Sequence, residues 1–237
     1  MKNKLVITND GSHSIFHSKI NECYHSKHGA IVEAEHVFIR NGFSAAHKKQ
    51  LNILEIGFGT GLNALLTLQK AVQKKITVNY HTVELYPLDK IHYSKLNFTE
   101  LIGIEKDNLL RLHTSKWEEE CKINTFFNFK KINTDLQKFI SELKFDIIYF
   151  DAFSPEKQPE LWTNTVFMKM HNYLKKDGFL VTYCAKGIVK RTMKSVGFEI
   201  IVLDGPPGKR QMTRANKLIL KNRFYNQRKP FISKKEN

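Results

Sequence analysis

Short apolar runs alternate with stretches of helical spacing along most of this chain. The apolar runs, each typical of a buried strand, are LNILEIG (51–57), ITVNYHTVEL (76–85), FDIIYFDAF (145–153) and GFLVTYCA (178–185). The stretches with helical spacing are LNALLTLQKAVQ (62–73), PELWTNTVFMKMHNYLKKDG (159–178) and GIVKRTMKSVG (187–197). Strands that alternate with helices in this way form parallel sheets. The pattern therefore predicts an α/β fold with a doubly wound, mostly parallel sheet.

The two ends of the chain depart from this alternation. Residues 1–45 are expected to form a small N-terminal extension that packs on the core, with one helix in GAIVEAEHVFIRNGF (29–43). Residues 46–222 are expected to form the main domain. Residues 223–237 are polar and basic, and we expect them to form a flexible tail.

The same patterns predict four local elements. FFNFKKIN (126–133) is expected to be a third strand, followed by a helix in LQKFISEL (136–143). The helix that starts near residue 159 is expected to end at Gly178, because glycine and basic residues favour helix C-termini. FEIIVLDG (198–205) and KLILKN (217–222) are expected to pair as a C-terminal antiparallel hairpin around PPGKRQMTRA.

The charge balance changes this picture more than the overall composition does. The 237 residues include 38 Lys and Arg and 23 Asp and Glu, which gives a net charge of +15. Such a charge suits a polyanionic partner, most simply nucleic acid, although a basic surface also serves solubility. The cysteines are too far apart to predict disulfides or a zinc site. No apolar run matches a signal peptide or a membrane span, so we expect a soluble, cytoplasmic protein.

The segment EIGFGTGLN (55–63) joins the first strand to its helix and carries glycines spaced G-x-G-x-G after an acidic residue. A P-loop needs Lys-Ser/Thr after the last glycine, and a dinucleotide-binding loop needs G-x-G-x-x-G. S-adenosylmethionine carries no phosphate, and a carboxylate suits its sulfonium and amino groups. We therefore predict an S-adenosylmethionine site formed by Glu55, Gly57, Gly59 and Gly61. A tight turn without a ligand is the alternative.

Two further carboxylates follow later strands. Glu84 ends the second strand, where an acidic residue can accept hydrogen bonds from both ribose hydroxyls. Asp135 follows the third strand and can face the adenine amino group. An N-cap for the helix at 136–143 explains Asp135 equally well, so both roles stay open at this point.

The loop YFDAFSPEKQPELWT (149–163) follows the strand after which doubly wound enzymes often place their chemistry. Asp151 lies at the carboxyl end of that apolar strand and is the candidate catalytic residue. Pro155 and Pro159 stiffen the loop, and Trp162 can anchor it. The alternative is that Asp151 only caps the loop. The Asn-Pro-Pro-aromatic signature of many amino-methyltransferases is absent from the sequence.

Four motifs together resemble a known family. They are EIGFGTGLN, VELYPL, DAFSPEKQPELWT and GPPGKRQM, in this order and spacing. They resemble the methyltransferase part of the bifunctional tRNA 5-methylaminomethyl-2-thiouridine biosynthesis proteins (MnmC) and their stand-alone, MnmD-type relatives. The similarity runs from TNDGSHS (8–14) to about Leu220. It implies a class I (Rossmann-like) enzyme that methylates the exocyclic amine of 5-aminomethyl-(2-thio)uridine at the wobble position of tRNA.

The resemblance also assigns roles to residues. Asp151 falls on the family's catalytic aspartate. The expected cofactor-binding residues are Glu55, Gly57, Gly59, Gly61, Asn63, Glu84 and Asp135. The expected cofactor is S-adenosyl-L-methionine, with neither metal nor flavin. The family's flavin-dependent part has no counterpart in this sequence, so we expect the aminomethyl substrate to be made elsewhere.

The expected partner is the anticodon arm of tRNA, with no membrane contact, and we expect a monomer or a weak dimer. Lys209, Arg210 and Arg214 are the candidate phosphate contacts, although a solvated charge run is the alternative. Two other functions remain open. An aminopropyltransferase of the spermidine synthase type shares the glycine loop, but a polyamine pocket favours acidic linings, which the net charge of +15 opposes. A non-catalytic RNA-binding module explains the charge but not the glycine loop.

Overall fold

The computed structural model describes residues 3–217, which fold into two β-sheets and flanking helices. The strands are β1 (Lys4–Ile7), β2 (His13–His17), β3 (Glu22–Cys23), β4 (Gln50–Ile56), β5 (Thr77–Glu84), β6 (Glu120–Asn124), β7 (Phe127–Asn133), β8 (Phe145–Phe150), β9 (Leu174–Thr182), β10 (Phe198–Asp204) and β11 (Gln211–Lys217).

The helices lie mostly between successive strands. They are α1 (Ala30–Ala34), α2 (Leu62–Lys74), α3 (Lys90–Tyr93), α4 (Phe98–Ile102), α5 (Lys106–Thr114), α6 (Asn164–Tyr173) and α7 (Gly187–Ser195). Helix α1 continues as a π-helix over Glu35–Arg40, and short 3₁₀ helices occupy Phe43–Ala46 and Pro159–Leu161.

The main sheet has eight strands in the order β10-β11-β9-β8-β4-β5-β7-β6. Strands β7, β5, β4, β8 and β9 run parallel to one another. Strands β6, β11 and β10 are antiparallel additions at the two edges. The predicted α/β fold, mostly parallel and with an antiparallel C-terminal hairpin, is confirmed. The strand order reverses beside β4, and ligands of open α/β sheets bind at such a switch point.

Strand β8 explains why this sequence forms the middle of the sheet. All its residues are buried. Ile147 and Tyr149 pack into a core cluster that includes α2, whereas Ile148 and Phe150 pack into a second cluster that includes α6 and α7. Alternate side chains of a strand point to opposite faces, so helices must cover both faces.

The helix predicted over residues 159–178 is wrong at both ends. It starts at Asn164, where the Thr163 hydroxyl accepts a hydrogen bond from the Val166 amide, and it ends at Tyr173. Residues 174–178 belong to β9 instead. A Cβ on Gly178 would lie 2.9 Å from the Phe145 carbonyl oxygen. This glycine therefore permits close strand pairing and is not a helix cap.

The helix predicted over residues 136–143 is also wrong. The backbone there makes only a turn, in which the amides of Lys138 and Phe139 donate to the Asp135 carbonyl. The Lys169 ammonium on α6 donates to three carbonyls of this segment, those of Leu136, Gln137 and Phe139, at 2.7–3.1 Å. A tertiary contact therefore satisfies the polar groups that a helix would have satisfied.

The C-terminal hairpin exists, but its second strand was predicted too late in the chain. Strand β11 pairs with β10 from Gln211, opposite Asp204, to Lys217, opposite Phe198. It also pairs with β9, so it lies between two strands. The turn is therefore confined to residues 205–210. Of the predicted strand KLILKN, only Lys217 lies within the described residues.

The N-terminal segment forms the small antiparallel sheet β1-β2-β3 and helix α1. Asp10 ties them together, because its Oδ1 accepts from the Ser12 amide at 3.0 Å and its Oδ2 from the Val32 amide at 3.1 Å. The domain boundaries predicted from the sequence stay predictions, and the predicted tail at 223–237 lies outside the described residues. Across residues 3–217, the helices are too short or too polar to cross a membrane.

Candidate active site

A cavity of about 530 Å³ lies over the carboxyl ends of the parallel strands. The cavity has two ends, which lie above different strands of the sheet. The glycine end, above β4, β5 and β7, comprises residues 57–60 of the glycine loop, Glu84 and Asp135. The aspartate end, above β8 and β9, comprises Asp151, Tyr183, Glu33 and Lys209.

The glycine loop is shaped by close backbone approaches. Gly57 has φ +91°, and a Cβ there would lie 2.6 Å from the Asp151 carbonyl oxygen. Gly59 has φ +49°, and a Cβ there would lie 2.8 Å from Cδ1 of Tyr24. Only glycine adopts these conformations without strain. The loop therefore touches the segment after β8 on one side and the N-terminal extension on the other.

Glu84 lines the glycine end with its carboxylate fixed by the backbone. Its Oε2 accepts from the Gly59 amide at 3.0 Å, and its Oε1 accepts from the Tyr86 amide at 2.7 Å. Burial raises the pKa of Glu84, and these hydrogen bonds oppose the rise. Each oxygen keeps a further lone pair. The carboxylate is therefore positioned to accept from two hydroxyl groups of a ligand.

Asp135 lines the same end. Its Oδ1 accepts from the Gln137 amide at 2.8 Å, which caps the turn that follows. The carboxylate thus has a local structural role without the predicted helix, and its contact with a ligand stays a prediction.

Asp151 follows β8 and faces the aspartate end. Its Oδ2 accepts from Nδ2 of Asn63 at 2.8 Å. Burial raises the pKa of Asp151 to about 7; the nearby Glu33 carboxylate adds to the rise, and the Asn63 hydrogen bond and the Lys209 ammonium oppose it. A carboxyl group with this pKa can accept a proton at neutral pH.

Three of the predicted cofactor-binding residues differ from the others in their surroundings. Gly61 does not line the cavity, and a Cβ there would lie 3.0 Å from the ring of Phe58 and 3.1 Å from that of His113. Glu55 is completely buried and is not among the residues that line the cavity, so direct contact with a ligand stays an untested prediction. Asn63 lines the cavity, but its amide group is bonded to Asp151.

Lys209 lies in the cavity, although the sequence suggested a phosphate contact. Its ammonium forms an ion pair with Oε1 of Glu33 and lies 4.1 Å above the ring of Tyr183. Sequence reasoning missed Glu33 and Tyr183. The GPPGKR motif was a signal for Lys209, whereas Glu33 looked like an ordinary helical residue.

The predicted trio of basic residues does not form one patch. Lys209 points into the cavity, whereas Arg210 is exposed. The guanidinium of Arg214 lies 3.9 Å above the ring of Phe179, and its Nε donates to Oδ1 of Asn216 at 3.0 Å. Among the three, Arg210 is therefore the residue free to meet a phosphate.

Aromatic rings from the N-terminal extension cover the cavity. The ring of Tyr24 lies 5.0 Å from that of Phe153, which follows Asp151 in the loop. Oε2 of Glu22 accepts from the amide and hydroxyl of Ser154, both at 3.1 Å. Trp162 anchors the loop as predicted, since its Nε1 donates to the Phe153 carbonyl at 2.9 Å. The extension and the loop after β8 therefore form one wall.

The titratable side chains do not suggest a metal centre. Among residues 3–217, no group of three or more His, Cys, Asp or Glu side chains is arranged to hold an ion. The three cysteines, all within this range, are free thiols.

Comparisons of sequence find one family model and a group of similar curated proteins. The model of a family described as S-adenosyl-L-methionine-dependent methyltransferases matches residues 106–218. The chain is 30% identical over 227 residues to the tRNA 5-methylaminomethyl-2-thiouridine biosynthesis bifunctional protein MnmC of Cupriavidus metallidurans, covering 89% of this chain and 33% of that protein. For the protein of the same description from Leptospira interrogans the identity is 28%, with 82% and 32% covered. The chain thus spans about a third of the length of these curated relatives.

Comparisons of structure agree with this result. The crystal structure of MNMC2 from Aquifex aeolicus matches with a TM-score of 0.72 and 25% identity, covering 90% of this chain and 69% of that one. Spermidine synthase from Thermotoga maritima matches with a TM-score of 0.53 at 13% identity, covering 92% of this chain and 73% of that one. At that identity the second match shows a shared fold and nothing more.

Proposed function

We propose that this chain, an S-adenosyl-L-methionine-dependent methyltransferase by sequence and by fold, methylates the exocyclic amine of 5-aminomethyl-(2-thio)uridine at the wobble position of tRNA. The observation that carries the proposal is that one cavity joins the glycine loop to Asp151, whose pKa burial raises to about 7. The tRNA substrate is taken from the curated relatives, of which this chain spans about a third.

The glycine end fits S-adenosylmethionine. Its loop from Gly57 to Gly61 contains no cation, which suits a ligand without phosphates. The fixed carboxylate of Glu84 has lone pairs for two ribose hydroxyls. Asp135 lies one strand further along, within the same cavity, and is the candidate contact for the adenine.

The aspartate end supplies what the amine needs. S-adenosylmethionine provides a methyl group already activated by its sulfonium, so the protein need only align the amine and remove a proton. As the nitrogen lone pair bonds to the methyl carbon, the carbon–sulfur bond breaks, its electron pair stays on sulfur, and a proton leaves the nitrogen. Asp151 takes that proton. An exposed aspartate, with a pKa of about 3.9, would be a much weaker base.

The aromatic cover fits a nucleobase. Phe153, two residues after Asp151, and Tyr24, whose ring lies 5.0 Å from that of Phe153, both line the cavity, and single bases in RNA are commonly bound by stacking on such rings. The two other functions account for less. Carboxylates outnumber lysines in the cavity lining, so its charge would suit a cationic polyamine as well. What disfavours the aminopropyltransferase is the sequence match to tRNA-modifying relatives, at 30% identity, against 13% for a spermidine synthase of the same fold. A binding module without catalysis leaves the raised pKa of Asp151 unexplained.

The direct test is methyl transfer in vitro. The purified chain is incubated with S-adenosylmethionine and tRNA that carries 5-aminomethyl-2-thiouridine, and nucleosides are analysed by mass spectrometry. We expect the methylaminomethyl nucleoside, and no product from tRNA that lacks the aminomethyl group. Binding of S-adenosylmethionine without methyl transfer to this tRNA would overturn the substrate, whereas spermidine formation from putrescine and decarboxylated cofactor would favour the aminopropyltransferase.

A further inference from the structure

The carboxyl group of Glu55 has no place in the mechanism above, although the sequence suggested that it binds the cofactor. It is completely buried, and no hydrogen bond of ordinary length and angle reaches either oxygen, although the side chains of Thr82, Tyr80 and Asn63 lie close enough to act on it. A buried carboxyl group without partners is rare, because the cost of removing it from water is then not offset. What this carboxyl group does depends on the polar side chains that surround it.

The sheet register identifies those groups. Glu55 on β4 lies opposite Thr82 on β5, and the side chain of Tyr80 points to the same face two residues earlier. The hydroxyls of Thr82 and Tyr80 are buried and unpartnered as well. The Asn63 amide, from the first turn of α2, is the third group that faces the carboxyl. Glu55, Thr82, Tyr80 and Asn63 thus form a buried polar cluster next to the cavity.

Asn63 connects this cluster to the cavity. Its Nδ2 donates to Oδ2 of Asp151 at 2.8 Å, while its Oδ1 is buried without a partner. An ionised Asp151 holds the amide with Nδ2 toward it, but a protonated Asp151 can also donate to the amide oxygen, so the amide can then turn over and stabilise the protonated form. A bond on the other side of the amide can prevent this, and Glu55 lies on that side.

We infer that Glu55 is a positioning residue that acts through Asn63 on Asp151, rather than a ligand of the cofactor. Burial raises the pKa of Glu55 well above its ordinary value, which favours the neutral carboxyl group. The O–H of a neutral carboxyl can donate to Oδ1 of Asn63, which is buried and lacks another partner. The inference rests on the proposed role of Asp151 as the proton acceptor. It concerns the titration of that carboxyl, which can be measured without RNA.

The experiment follows the ¹³C carboxyl resonance of Asp151 against pH in the full chain, assigned by its loss in Asp151→Asn. Asn63→Leu keeps the side-chain shape and removes the donor to Asp151, so the midpoint should rise by about one pH unit. Glu55→Met should raise it in the same direction, because the amide is no longer held. Glu55→Gln keeps donor and acceptor atoms, and should leave the midpoint where it is in the wild type. The double variant Glu55→Met/Asn63→Leu should shift no further than Asn63→Leu alone.

Asp146→Asn is the matched control. Asp146 is a buried carboxylate at the other end of β8, bound to Lys48 and Lys175 and about 16 Å along the strand from Asp151. Its neutralisation should lower stability but leave the Asp151 midpoint unchanged. If Glu55→Met does not fold, the side-chain ¹⁵N resonance of Asn63 in Glu55→Gln decides the question, since it must move if the two side chains are bonded.

Three results would overturn the inference. One is an unchanged midpoint in folded Glu55→Met, and at least a tenfold loss of S-adenosylmethionine affinity by calorimetry in the same variant would make Glu55 a cofactor ligand. The second is a lowered midpoint in Glu55→Gln, which would mean an ionised Glu55. The third is an Asn63 resonance that Glu55→Gln leaves unmoved. None depends on whether tRNA is the substrate, so failure of the proposed function would be seen separately.

Discussion

The two ends of the cavity are built from different kinds of sequence. The glycine end comes from a short loop and from strand ends that follow one another along the chain, and backbone amides fix its main carboxylate, Glu84. The aspartate end is assembled from side chains that are distant in sequence, as in the ion pair of Glu33 and Lys209, which are 176 residues apart. Backbone geometry therefore determines the first end, and long-range electrostatics determine the second.

The largest expected effect tests whether the aspartate end carries the chemistry. Asp151→Asn keeps the shape of the side chain and removes the proton acceptor. We expect turnover to fall by about 10²- to 10⁴-fold, as for other positioned acid–base groups, with S-adenosylmethionine affinity within about threefold of the wild type. Turnover and calorimetric affinity measure the two ends separately. Equal losses in both would mean that the ends do not function independently.

The same variant should also be more stable. The folded pKa of Asp151, about 7, is above its ordinary value of 3.8, so the wild type loses stability as pH rises between these values. Asp151→Asn removes that loss. We expect a gain of about 1–3 kcal/mol at about pH 8 and a smaller gain at about pH 5. A variant less stable than the wild type at both pH values would contradict the raised pKa.

The next prediction concerns Gly57, where the glycine end of the cavity touches the aspartate end. In Gly57→Ala, the new Cβ would lie 2.6 Å from the Asp151 carbonyl oxygen, so the loop must move away from β8. We expect at least a tenfold loss of S-adenosylmethionine affinity together with a loss of turnover. Gly103→Ala is the control, because Gly103 also has positive φ but a Cβ there meets nothing within 4 Å. Equal losses in both variants would mean that backbone strain, not the contact, is responsible.

The difference between the two ends also decides what the sequence could predict. The alternation of strands and helices predicted the parallel sheet, and the glycine spacing predicted the loop, because both depend on neighbouring residues. The pair of Glu33 and Lys209 could not be predicted, since nothing local to either residue depends on the other. The helix predicted over residues 136–143 was wrong for the same reason, because Lys169, on another helix, binds the carbonyls of this segment.

Glu55 is a different case, since the sequence contained the information. Ile53 packs into the cluster under α2, and side chains two residues apart on a strand share a face. The strand period therefore predicts that Glu55 points toward α2, where the structure places it, completely buried. Its contact with the cofactor stays a prediction.

A smaller effect is expected from the charges at the aspartate end of the cavity. The Glu33 carboxylate raises the pKa of Asp151, and the Lys209 ammonium lowers it. Glu33→Gln should therefore move the acidic limb of the pH profile of kcat to lower pH, and Lys209→Met should move it to higher pH, each by about half a unit. Each variant also frees its partner's charge, which acts in the same direction. Shifts of the same sign would show that the pair acts only through packing.

The smallest effect separates two arginines of the C-terminal hairpin, one in its turn and one in strand β11. Arg210 is exposed, whereas Arg214 stacks on Phe179. If Arg210 meets a phosphate of the tRNA, Arg210→Ala should reduce the slope of log affinity against log salt by about 0.7–0.9, the contribution of one released counterion. Arg214→Ala should leave the slope unchanged. Lys74→Ala is the control, because this exposed lysine lies at the C-terminal end of α2, whereas the cavity lies at the N-terminal end of that helix. If Lys74→Ala reduces the salt slope as much as Arg210→Ala does, tRNA binding depends on net charge. If only Arg214→Ala reduces it, the RNA contacts the face of the sheet where Arg214 lies.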